Sequence, residues 1–178
     1  KYQDYYNYKE FEVYFSFIIS FIIVMFLISY NFYQDFRYYA GVIENLLLNI
    51  IGGAVGLLGF ILTGVALIVG LFNKRIKDKI EYVSKKEGAV TKILTSFEFA
   101  ALSIGLEIVI LMFLYLIINM GLLFYSQKMF YIIFFLVCYF IMFNLFYTIG
   151  LVYNSVSLYE IFIIYSDIIE KEEAVENE

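Results

Sequence analysis

Four long apolar runs constrain this chain more than any other feature of its sequence. They lie at 13–30, 46–72, 99–125 and 129–152. A helix needs about 17–25 apolar residues to cross a bilayer core of about 30 Å. Period-2 alternation, which is typical of a membrane β-barrel, is absent. The sequence therefore predicts an all-α, polytopic membrane protein, with a single domain over 1–178 that has four transmembrane helices.

The composition indicates a membrane environment. Hydrophobic residues make up 63% of the chain and charged residues 16%, whereas a soluble domain has about 45–50% apolar and 25% charged residues. Too little polar surface is present to cover a globule in water. The first run has neither a basic leader nor a small-residue cleavage site, so we expect an anchor rather than a cleaved signal peptide.

The positions of Lys and Arg predict the orientation, because short cytoplasmic loops are enriched in both residues. The second loop carries seven of the 12 in the chain. If that loop is cytoplasmic, both termini are cytoplasmic too, and only Arg37 and Lys128 lie outside. Residues 153–178 are then predicted to extend the last helix into the cytoplasm and to end in an acidic tail.

Small and polar residues form a stripe along the second run. They follow one another at alternating intervals of four and three residues, which keeps them on one face of a helix. We call this stripe the small-residue face, and its members are Asn45, Asn49, Gly52, Gly56, Gly59, Thr63, Ala66 and Gly70.

Two interpretations of the small-residue face stay open. Lipid tails are as apolar as leucine, so helices in a membrane associate by the close backbone approach that small residues allow. The face is therefore expected to pack against a neighbouring helix. Alternatively, it turns toward the central axis of a homo-oligomer and lines a narrow pore. Gly53 and Gly64 lie off the stripe and have no explanation at this level.

Polar residues also occur within the third and fourth spans. Glu107 lies deep in the third span, where a carboxyl group is costly and usually faces a bundle interior or a water-filled cavity. Ser103, one turn earlier, is placed to form a hydrogen bond with it, and no basic residue lies at matching depth to form a salt bridge. Glu107 is either a structural or a functional carboxyl. In the fourth span, Asn144 and Thr148 are expected to form hydrogen bonds between helices.

The second loop is strongly basic. The positive-inside rule explains this charge, and binding of anionic lipid or of an acidic cytoplasmic protein is the alternative. The residues that would form such a site are Lys74, Arg75, Lys77, Lys79, Lys85 and Lys86.

Several classes of function are excluded by what the sequence lacks. It contains no His and a single Cys, Cys138, within an apolar run, so His/Cys metal sites and Ser–His or Cys–His catalysis are not expected. No P-loop or dinucleotide fingerprint is present. A net charge of −5 argues against direct nucleic-acid binding. We therefore expect a protein that is not an enzyme and has no cofactor.

One segment carries a resemblance to a known group of proteins. A small-residue span ends in "LIVGLFNKRIKDKIEY", a short basic segment follows, and the next span begins with "SFEFAALSIGLE". This order, over about 50–110, resembles the RexB-like four-span proteins of phage exclusion. Membrane subunits of antiphage systems such as Kiwa (KwaA) and Hailong are similar in size and number of spans. The resemblance implies an ion channel that depolarises the infected cell.

Two functional hypotheses follow. The first is a homo-oligomeric protein of the bacterial inner membrane that acts in antiphage defence or abortive infection by permeabilising the membrane. The abundance of Ile, Phe, Tyr, Asn and Lys is typical of an AT-rich gene and favours an origin in bacterial or mobile-element DNA. The second is a non-conducting membrane sensor or anchor that recruits a cytoplasmic defence effector through the basic loop and the acidic tail.

Overall fold

The structure, a computed structural model, describes residues 2–33, 36–71, 89–120 and 127–176. It contains the helices α1 (Tyr2–Ser29), α2 (Phe36–Leu71), α3 (Ala89–Asn119) and α4 (Gln127–Glu176), and these described ranges contain no strand. Each helix has an apolar segment long enough to cross a membrane. The prediction of an all-α chain with four candidate membrane spans is confirmed. The orientation of the termini stays a prediction.

The helices do not stop where the apolar runs stop, because backbone hydrogen bonding within a helix does not require apolar side chains. Both α2 and α3 begin well before the predicted spans, and α3 ends at Asn119 rather than at 125. The 50 residues of α4 form one continuous helix of about 75 Å. This length exceeds what crossing a bilayer core of about 30 Å requires. The cytoplasmic location of 153–178 stays a prediction.

The helices pack in the order α1, α4, α3, α2, and α1 makes only marginal contact with α2. Two clusters of buried side chains hold them together. The cluster near the α1–α2 turn contains Val24, Ile43, Leu47, Leu111, Leu114, Ile118, Phe130 and Tyr131. The cluster toward the other end contains Ala54, Ile61, Ile68, Phe97, Ala100, Ile104, Tyr147 and Leu151. Many other large apolar side chains are exposed, as expected where lipid is the solvent.

The turn after α1 packs against the start of α4. Asn31 has a φ of 50°, a left-handed conformation that Asn tolerates better than most residues. The backbone N–H groups of Asn31 and Phe32 donate to the carbonyls of Ile28 and Leu27 at 3.0 and 3.1 Å, which is the Schellman pattern of a helix end. The Phe32 ring lies 6.3 Å from the ring of Phe130 in α4. This end of the bundle is therefore closed by aromatic side chains.

Candidate functional site

The face of α2 that packs into the bundle is formed by large aliphatic residues with one alanine. Leu47, Ala54, Ile61 and Ile68 are all buried, and they are spaced seven residues apart. Around them, α2 packs mainly on α3, where Phe97, Ala100 and Ile104 are buried in turn. The interface between α2 and α3 therefore consists of ordinary apolar side chains.

The small-residue face lies on the opposite side of α2. Its eight members fall two positions before or two positions after the buried residues of the seven-residue series. Each residue turns a helix by about 100°, so an offset of two positions is about 160–200° around the axis. All eight residues are exposed in the isolated chain: Asn45, Asn49, Gly52, Gly56, Gly59, Thr63, Ala66 and Gly70.

No described part of the chain covers the glycines of this face. A Cβ atom built at Gly52, Gly56, Gly59 or Gly70 meets nothing within 4 Å. The Thr63 hydroxyl donates to the carbonyl oxygen of Gly59 in the preceding turn at 2.9 Å. The small-residue face thus does not pack against another helix within the described chain, and its glycines leave the backbone exposed.

Gly64, which lies off the small-residue face, is the glycine of α2 that packs inside the bundle. A Cβ atom built there would lie 2.9 Å from Cε1 of Phe97 in α3. Because Phe97 is only 2% exposed, its ring has little room to move. The signal that could have identified Gly64 is its position three residues after Ile61 and four before Ile68, on the buried face.

A polar cluster joins α3 and α4 within the apolar segments. Ser103 donates to Oδ1 of Asn144 at 2.6 Å, and Nδ2 of Asn144 donates to Oε2 of Glu107 at 2.5 Å. Glu107 and Asn144 are 4% and 2% exposed. Asn144 is therefore the link between the other two side chains, whereas the sequence predicted a direct bond between Ser103 and Glu107. Asn144 bonds between helices as predicted, but Thr148 does not, because its hydroxyl donates to the carbonyl oxygen of Asn144 within α4 at 2.8 Å.

Sequence reasoning missed a second polar face, on α1. Glu12, Ser16 and Ser20 are spaced four residues apart and are all buried. A Cβ atom built at Gly150 of α4 would collide with the carboxyl group of Glu12, so glycine allows that carboxyl group to lie against the α4 backbone. The Ser16 hydroxyl donates to the Glu12 carbonyl at 2.6 Å. The buried hydroxyl of Ser20 has no hydrogen-bond partner among the described residues.

One predicted site, the basic second loop, falls on a part of the chain that the structure does not describe. The basic loop residues Lys74, Arg75, Lys77, Lys79, Lys85 and Lys86 lie outside the described residues. Within the ranges that the structure describes, no group of three or more His, Cys, Asp or Glu side chains could hold a metal ion. The candidate site therefore consists of an exposed small-residue face and a separate internal polar cluster.

Comparison of the chain with protein-family models, with curated proteins and with solved structures finds no match.

Proposed function

We propose that the protein is a homo-oligomeric channel of the bacterial inner membrane, in which the small-residue faces of several copies of α2 meet around a common axis. The exposure of the whole face on the outer side of the bundle is the observation that carries the proposal. In a membrane, such a face lets helix backbones approach closely. It also offers exposed peptide groups and the amide side chains of Asn45 and Asn49 to water.

The position of α2 supports this arrangement. As the last helix in the packing order, α2 is held mainly by α3, and its opposite face is directed away from the bundle. Copies can therefore associate through α2 without unpacking the four-helix unit. The internal cluster of Ser103, Glu107 and Asn144 lies between α3 and α4, away from the proposed axis.

The role in antiphage defence rests on the resemblance of the segment 50–110 to proteins of phage exclusion. A channel that opens during infection would depolarise the cell and stop phage production at the expense of that cell. The same segment includes much of the small-residue face, so the resemblance and the proposed pore concern the same helix.

Conductance and oligomeric state test the proposal together. Purified protein should form oligomers in detergent and conduct in planar bilayers. Gly56→Leu should reduce both, because a leucine on the small-residue face separates the helices or blocks the axis. Gly53→Leu is the matched control, since Gly53 is also exposed with open space around it but lies off the face. A wild-type protein that is monomeric and silent, or equal effects of the two variants, would contradict the proposal.

A further inference from the structure

An apolar crevice lies among the four helices, near the α1–α2 turn. Its volume is about 400 Å³, and all four helices line it, for example through Leu27, Leu47, Ile118 and Val137. It lies on the bundle side of α2, since Leu47 belongs to the buried face of that helix. Its lining on α2 includes Ile43, Leu47 and Ile50, which lie off the small-residue face, and reaches the exposed Val42 and Leu46 at its edge.

The length of the crevice corresponds to one leaflet of a bilayer. Its lining residues extend from Phe130 to Met142 on α4 and from Tyr39 to Ile50 on α2, which is about 18 Å and 17 Å along the two helices. Half of a bilayer core of about 30 Å is about 15 Å. The crevice thus covers about the depth that one acyl chain occupies.

The crevice is open to the side and covered at the end near the α1–α2 turn. Because α1 and α2 make only marginal contact, a gap remains between them, and Val42 and Leu46 at its edge are 65% and 53% exposed. At the end near the turn, the rings of Phe32 and Tyr39 stack with centroids 5.4 Å apart. An occupant would enter laterally from the membrane rather than along the helix axes from water.

The lining chemistry selects an apolar chain. Apart from the hydroxyl group of Tyr39 and the sulfur atoms of Cys138 and Met142, every lining side chain is a hydrocarbon. Binding sites for polar small molecules contain a few placed hydrogen-bonding groups, and a water molecule needs two to four polar partners. We propose that the crevice binds one acyl chain of a phospholipid from the leaflet on the side of the α1–α2 turn. This binding site does not depend on the proposed channel function.

Tryptophan fluorescence can test this site, because the chain contains no Trp. Phe134→Trp places a fluorophore in the crevice lining, and Leu136→Trp places one on the exposed surface of the same helix. The full chain in detergent micelles would be titrated with phospholipid brominated on its acyl chains, which quenches Trp on contact. We expect quenching of Phe134→Trp to saturate at a several-fold lower lipid-to-detergent ratio than quenching of Leu136→Trp, and unlabelled phospholipid to reverse it.

Filling the crevice provides the second measurement. In the Phe134→Trp background, Val137→Phe should remove the saturable quenching, since Val137 lines the crevice. Val109→Phe on α3 is the control, because Val109 is exposed and does not line it. Identical titrations for Phe134→Trp and Leu136→Trp would overturn the proposal, as would saturable quenching that survives Val137→Phe. Phe134→Trp fluorescence that no brominated lipid quenches would mean that protein atoms close the crevice, and would also overturn it.

Discussion

Gly64 of α2 lies against the ring of Phe97 of α3, so closely that a Cβ atom on the glycine would be 2.9 Å from Cε1 of the ring. It is the closest approach that any described glycine of α2 makes to another helix. The glycines that form the regular stripe have open space beside them instead. Close packing within the bundle and the glycine stripe therefore occupy different sides of the same helix.

Gly64→Ala should destabilise the bundle by about 1–3 kcal/mol, the usual cost of overpacking a core. The ring of Phe97 is buried and cannot move aside freely. Unfolding of the detergent-solubilised protein by titration with SDS, followed by circular dichroism, measures the change. Gly53→Ala is the control on the same helix, because its Cβ meets nothing within 4 Å. Equal stability of the two variants would refute the close contact.

Asn144→Leu should lower the free energy of unfolding by about 1–3 kcal/mol, since it deprives the buried carboxyl group of Glu107 of its hydrogen bond. Glu107→Gln should cost less, because a side-chain oxygen remains to accept the bond from Asn144. Thr148→Val is a control that leaves the link between helices intact, as its hydroxyl bonds only within α4. The same SDS titration ranks the three variants by stability. An Asn144→Leu variant as stable as Thr148→Val would contradict the prediction.

Ser20→Ala should leave the stability unchanged or raise it by about 1 kcal/mol, because a buried hydroxyl without a partner is costly and alanine removes it. Ser16→Ala provides the comparison on the same face of α1. Ser16 donates a hydrogen bond at 2.6 Å, so its loss brings no such gain. Thermal unfolding in detergent distinguishes the pair. If Ser20→Ala proves the more destabilising of the two, the hydroxyl of Ser20 has a partner.

Gly150→Ala should destabilise the packing of α1 on α4, since the added methyl group collides with the carboxyl group of Glu12. The expected cost is about 1–3 kcal/mol. Glu12→Ala in the same chain should remove most of that cost, and a double-mutant cycle measures the coupling. Gly105→Ala serves as a control, because its Cβ would meet nothing within 4 Å. Strictly additive effects of Glu12→Ala and Gly150→Ala would show that the two residues do not touch.

Cysteine cross-linking should distinguish the small-residue face from its flank. In a Cys138→Ser background, Ala66→Cys should form disulfide-linked dimers in native membranes, because the proposed axis brings copies of this face together. Leu67→Cys, at a neighbouring position that is 61% exposed, should not. Non-reducing gel electrophoresis after mild oxidation reads out both variants. Equal cross-linking at the two positions would place the contact between copies elsewhere.

Much of the fold could be predicted because it depends on local properties of the chain. Length and apolarity identified the four helices, and the depth of Glu107 in its span indicated a buried carboxyl group, which the structure contains at 4% exposure. The partner of Glu107 was predicted wrongly. Ser103 is near it in sequence, but Asn144 approaches it from α4 and accepts the bond from Ser103. Which side chain becomes the hydrogen-bond partner of Glu107 depends on how α3 and α4 pack against each other.

The polar face of α1 escaped prediction for a related reason. Glu12 lies at the edge of an apolar run, where a charged residue normally faces water or lipid headgroups. Only the contact with Gly150 of α4 reveals that this carboxyl group is covered. A glycine permits such an approach, but it does not by itself indicate which residue approaches.

The sequence by itself determined that the chain forms four apolar helices and that α2 carries a stripe of small and polar residues. The buried residues of α2 also repeat every seven residues, so periodicity cannot decide which face enters the bundle. The tertiary structure decided it: Leu47, Ile61 and Ile68 are buried, and the small residues remain outside. The physical reason is that α3 offers the complementary surface, with the ring of Phe97 fitting beside Gly64. Such a fit depends on both helices and cannot be deduced from the sequence of either one alone.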